Sequence, residues 1–269
     1  MSREFPDPVP SPMEKIEGSA TPEPWFDSER EKSYAGVLQE FHAIKESGYS
    51  DGKGLYMTIE HGMDPRFKSK LNRHLQESDF ESIHMAEVTS RTASEVAGTE
   101  IKRGVFIVDD GEVYQKLEKV FFSEGGTTHG VVIPGRAFSE LPHFRDVGII
   151  LAKNDDALIS HEVRHTIDPH LSGSQHERTG NDRILAEAFA EYQNIIVAQG
   201  DWQAYRKFLD NYLGLYDKKE GLKTKKEDWD KIADSVVEKV KALRSKHNDI
   251  ETQRLILKSR NVAEFLLQE

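Results

Sequence analysis

Between Ala157 and His170 the chain reads ALISHEVRHTIDPH. His161 and His165 stand four apart, and Glu162 directly follows the first of them. On a helix of 3.6 residues per turn, positions i and i+4 lie about 40° apart in projection. Both imidazoles then leave one face and can meet one metal ion. Neutral imidazole nitrogen is a good zinc ligand. A carboxylate one residue after the first ligand points to the flank of the metal, where it can take a proton from a metal-bound water. Each fixed position of His161-Glu162-Val163-Arg164-His165, an H-E-x-x-H pattern, thus has a mechanical reason for its place.

A catalytic zinc takes a third protein ligand and keeps one position open. Glu187, in LAEAFAEY, is the first candidate, and Glu191 shares its helix face four residues on. Glu187 could bind the metal while Glu191 accepts the far N–H of a ligating histidine, fixing its tautomer and ring angle. His170 is the second candidate, but it lacks the glycine and the spacing of the three-histidine pattern HExxHxxGxxH. Glu187 ranks ahead. The alanines around it imply close helix packing, where carboxylates need partners or a metal. Donors to a developing oxyanion could be Tyr192, Tyr205, His129 or His143, and none stands out. Arg164 is expected to point away from the ligands, into an ion pair with Asp168 at i+4.

The pair HEVRH and EAFAE resembles the gluzincin zinc peptidases, the thermolysin-like group, and looks most like the anthrax lethal factor-type catalytic domain. The resemblance covers roughly residues 145–200. It implies His161, His165 and Glu187 as ligands of one Zn2+ per chain, Glu162 as general base and Glu191 as the acid behind a histidine. It implies an α+β, zincin-like fold with a small mixed β-sheet over an active-site helix and a glutamate helix, to which the residue pattern adds a largely helical C-terminal part. It implies a peptide or protein substrate, hydrolysed through a zinc-bound water that Glu162 activates. In the lethal factor-type group a tyrosine about two turns before the ligand glutamate serves the oxyanion. This chain has Gly180 near that place and no tyrosine between His165 and Tyr192.

These residues need elements to hold them. Asn154 and Asp155 are good N-caps for the HEVRH helix, and Pro169 stops it. Before it, GVFIVDD (104–110), GVVIPG (130–135) and DVGIILA (146–152) are apolar, β-branched runs expected to be strands. Val113, Leu117, Val120 and Phe121 predict a helix between the first two. One edge strand, DVGIILA or GVVIPG, would line the cleft and pair with an extended substrate. NDRILAEAFAEYQNIIVAQG reads as a helix capped at its start and closed by Gly200. Stripes beginning at Trp202, Trp229 and Val262 predict further core-facing helices. Towards the N-terminus, residues 1–26 read as a disordered Pro-rich arm. Ser28 with Glu31 opens a helix through Ile44 that SGYSDGKG ends, Asp64-Pro65 opens another, and 78–100 fits neither helix nor strand. The expected division is the arm, a mainly helical region at 27–100, a zincin-like core at 101–200 and a helical part at 201–269 packed on it.

The whole composition narrows the classes. With 269 residues there is room for a sizeable core. A formal net charge of −11 argues against nucleic acid as the main partner. No apolar run is long enough to span a membrane, and no apolar leader stands at the start, so a cytoplasmic setting is expected. The absence of cysteine removes disulfides, thiolate ligands and a cysteine nucleophile. Three functions follow: a zinc endopeptidase of narrow specificity, another zinc hydrolase or aminopeptidase on the same scaffold, or a catalytically silent zincin-like protein acting as an interaction or regulatory module. The G-x-M-E-N loop of the aminopeptidases is missing, which ranks the second lower.

Overall fold

The computed structural model describes residues 51–62, 65–121, 130–133, 149–171, 178, 180–220 and 225–268. The expected arm at 1–26, the helix from Ser28, and His129 and His143 lie outside them. The fold is mixed α+β, mostly helical, around one four-stranded sheet.

Helices α1 (Asp51–Gly62) and α2 (Pro65–His74) come first, then a 3₁₀ turn at Glu77–Ser82. The first half of SGYSDGKG lies outside the described residues; its second half, Asp51–Gly54, is helical in α1. Gly52 is there because of packing. A Cβ built on it would lie 1.5 Å from the Phe80 carbonyl oxygen, so only glycine lets α1 approach the 3₁₀ turn so closely.

The undecided stretch at 78–100 holds strand β1 (Ile83–Thr89) and helix α3 (Arg91–Ala97). Ser90 caps α3 by accepting from Ala93 N, and Gly98 closes it at φ +74°. β1 pairs antiparallel with β2 (Lys102–Val108) from Ile83↔Val108 to Thr89↔Lys102. Residues before 100 are therefore built into the sheet. After α4 (Gly111–Phe121) come β3 (Gly130–Ile133) and β4 (Ile149–Lys153). β4 runs parallel to β2 and antiparallel to β3, giving the order β1-β2-β4-β3. The two central strands carry near-continuous buried runs, Val105 to Val108 and Ile150 to Ala152, as strands covered on both faces do. Of the two runs expected at the edge, GVVI forms it among the described residues. The DVGIILA run is internal, because β2 and β3 take both sides of β4.

Helix α5 (Asp156–His165) follows β4 after a two-residue turn, and the Asp155 side chain caps it by accepting from Leu158 N at 3.0 Å. A 3₁₀ turn at Gly180–Arg183 leads into α6 (Ile184–Glu191). The expected cap at the start of α6 serves elsewhere: Asp182 Oδ1 accepts from Val262 N at 2.9 Å. α7 (Trp202–Glu220), α8 (Lys226–Lys246), α9 (Asp249–Lys258) and α10 (Val262–Leu267) complete the chain. Gly200, at φ +67°, closes the segment before α7 with its N–H on Ile196 O. The core is continuous from Val105 and Ile150 on the sheet through Val163 and Phe189 to Leu209, Val236 and Ile256. Among the described residues no helix is long and apolar enough to cross a membrane.

Candidate metal centre

Helix α6 lies at the centre of the helical layer, packed by α5, α7 and α9. Ile184, Leu185, Ala186, Ala188, Phe189 and Ala190 are all buried, so this helix is apolar nearly all round. Its two acids, Glu187 and Glu191, face α5, where the small alanines let the two backbones come close.

Here His161, His165 and Glu187 converge. His161 Nε2 is 2.9 Å from His165 Nε2. Each of these nitrogens is 3.4 Å from a different oxygen of Glu187. Tetrahedral zinc with bonds of about 2.0–2.1 Å sets its ligand atoms about 3.3–3.4 Å apart. The two histidine–glutamate distances match that spacing. The shorter histidine–histidine distance suits a proton held between two nitrogens. On the other side of the His161 ring, Nδ1 is 2.9 Å from Glu191 Oε1. The approach is angled, so it is an ion-pair contact and not an aligned hydrogen bond. Phe208 of α7 meets the His161 ring edge-on at 6.2 Å.

Glu162 is buried beside this cluster but not in it. Its carboxylate lies against the first residue of β3. A Cβ built on Gly130 would stand 2.5 Å from Glu162 Oε1 and 2.6 Å from its Cγ. The glycine opening the edge strand thus leaves the space that the Glu162 side chain fills.

The electrostatics follow from crowding three carboxylates and two imidazoles in a dry space. Burial, reinforced by the charges of Glu187 and Glu191 and opposed by His161, pushes Glu162 up to about 7. Burial works against a charge on His161, but its contacts with Glu187 and Glu191 and the nearby Glu162 outweigh this and hold its pKa well above the ordinary value. Burial and the neighbouring His161 charge push His165 down to about 4. Glu187 is lowered: burial resists its charge, but the two histidines and Arg183 more than compensate.

These shifts favour a proton on His161 over one on His165. Since a ligating imidazole must be neutral, binding of zinc should release the proton that His161 favours. Calorimetry in buffers of differing ionisation enthalpy measures this, and a heat independent of the buffer would contradict it.

The other sequence candidates fall elsewhere. His170 is buried, but it is not part of the cluster; its N–H donates to Asp168 Oδ1 and its carbonyl accepts from Arg178 N. Tyr192 donates to Asp249 Oδ1 at 2.6 Å and Tyr205 to the Ala188 carbonyl at 2.6 Å. Both hydroxyls are committed to structural partners. Arg164 is not in an ion pair with Asp168. It is fully buried between α5, α6 and α9, its guanidinium 4.3 Å over the Phe189 ring and bonded to Gln253. Asp168 pairs instead with Arg178, which also donates to the carbonyls of Ile256 and Ser259 at the end of α9. The sequence reading also missed the π-helical turn at Tyr192–Val197 directly after Glu191.

The chain matches no protein-family model, no curated protein and no solved structure.

Proposed function

We propose that the protein is a zinc-dependent metallopeptidase of the gluzincin kind, with a zincin-like fold, acting as an endopeptidase of narrow specificity on a peptide or protein substrate. One observation carries the reading: three donor atoms of types that suit zinc converge from two packed helices, with a carboxylate behind one ligand and a separate buried carboxylate beside them. His161 and His165 would hold the ion through Nε2 and Glu187 through its carboxylate. When bound, zinc supplies the Lewis acidity that amide hydrolysis needs.

The rest is done by the chain itself. Glu162, buried beside the ligands, would take a proton from the attacking water and return it to the leaving nitrogen. Glu191 holds the orientation of His161 from the far side of the ring. β3 offers an edge beside Glu162 that an extended peptide could join by main-chain hydrogen bonds. A space shaped by glycine around Glu162 supports the enzyme over the catalytically silent alternative, which has no use for a base held there.

Elemental analysis of purified protein tests the reading. Wild type and Glu162→Gln should each hold one zinc per chain. Glu187→Ala should bind it more weakly by more than the 10–100-fold or so expected on losing an outer-shell partner. A wild type that takes up no zinc after incubation with the ion would sink the proposal.

A further inference from the structure

The π turn at Tyr192–Val197 begins one residue after Glu191. A π turn inserts an extra residue into the helical ladder and occurs mostly as an isolated bulge. It therefore needs support from outside the helix. The switch begins at Glu191, whose ψ of −11° departs from the −42° typical of an α-helix.

Two carbonyls in the turn before the switch, Ala188 and Phe189, each receive a side-chain donor. Tyr205 Oη donates to Ala188 O at 2.6 Å. Arg164 Nε and Nη2 donate to Phe189 O at 3.4 and 3.3 Å. Within the turn itself, Asn194 Nδ2 donates to Ala157 O at 3.0 Å, at the start of α5. The turn and the end of α6 before it are thus tied to the two ends of the helix that carries His161 and His165.

Arg164 is an expensive way to achieve packing alone. It is fully buried, and no carboxylate is within ion-pair distance of it among the described residues. Its donors go to the Phe189 carbonyl, Thr92 Oγ1 and Gln253 Oε1. An apolar side chain would fill such a site without burying a charge.

We propose that Arg164 and Tyr205 are positioning residues for the metal centre. By holding the Phe189 and Ala188 carbonyls at the α-to-π switch, they set the direction in which Glu191 reaches His161, and through it the strength of His161 as a ligand. The angled 2.9 Å approach of Glu191 to His161 Nδ1 is the quantity they control. This rests on the zinc reading above.

The test is a double-mutant cycle on zinc affinity, measured by chelator competition on the full chain: wild type, Tyr205→Phe, Glu191→Gln and the double variant. Tyr205→Phe removes one hydroxyl and keeps the ring in the core, which avoids the folding risk of replacing Arg164. In the wild-type background it should weaken zinc binding by about 3–10-fold, at or below the range for outer-shell partners. With Glu191→Gln already present, the same change should cost under about 2-fold, because it acts through Glu191. An equal loss in both backgrounds would show a purely structural role and overturn the inference, as would no loss in either. A wild type that binds no zinc would overturn the metal reading as well, so the two failures are distinct.

Discussion

Glu162→Gln should bind zinc as tightly as the wild type and hydrolyse peptide roughly a hundred to ten thousand times more slowly. Glutamine keeps the shape of the side chain and its fit against Gly130 but cannot take a proton. Glu162 is outside the ligand cluster, so the metal should stay. Titrating zinc and measuring turnover on one preparation separates the two effects; parallel loss of zinc and turnover would make Glu162 a ligand and not a base.

The same variant carries a stability readout in the metal-free protein. Glu162 sits at about 7, against an ordinary value of 4.5. The folded state therefore prefers the protonated form. That contribution is fully present below pH 4.5 and lost as pH rises through about 7. Glutamine stays neutral throughout. Metal-free Glu162→Gln should be more stable than metal-free wild type at pH 8, by on the order of 2–3 kcal/mol, and lose that advantage near pH 4. Denaturant melts at the two pH values decide it; a difference that does not change with pH counts against the buried-carboxylate argument.

Gly130→Ala should leave the fold and zinc binding intact and cut turnover by about a hundredfold. The three atoms nearest the added methyl all belong to Glu162: Oε1 at 2.5 Å, Cγ at 2.6 Å and Cδ at 2.8 Å. The buried Glu162 chain must shift from Cγ outward to admit the methyl, and a general base must be within hydrogen-bond reach of its proton. A shift of about 1 Å is enough for such a loss. Circular dichroism and zinc content should match the wild type while the rate falls. A variant with unchanged turnover would mean that the position of the Glu162 carboxylate against β3 does not matter.

The local chemistry was the legible part of this sequence. The i, i+4 spacings of His161 with His165 and of Glu187 with Glu191 put each pair on one face without knowledge of the fold, and the structure brings those faces together. The apolar runs at β2, β3 and β4 were legible for the same reason. β1 was not. IHMAEVT mixes apolar with polar residues because it is an edge strand, half-exposed and paired on one side. α1 was hidden by glycines that usually mark turns. Arg164 was misread because an acid at i+4 is the nearest partner in sequence, whereas its true partner Gln253 is 89 residues away. The π turn has no compositional mark, since a register shift in hydrogen bonding leaves residue types unchanged.

The long-range bonds of the buried Arg164 and Arg178, and of the half-buried Arg254, also bear on order in time. Arg164 reaches Gln253 across 89 residues and Arg178 reaches Ser259 across 81, while Arg254 returns to the Val96 carbonyl across 158. A ribosome adds about 5–20 residues per second, so these partners follow the HEVRH helix by roughly 4–18 seconds. Throughout that interval two guanidiniums meant for the interior lack the groups that satisfy them. A chain shortened before Gln253 would carry His161, His165 and Glu187 but leave the Arg164 between those histidines without its partner on α9.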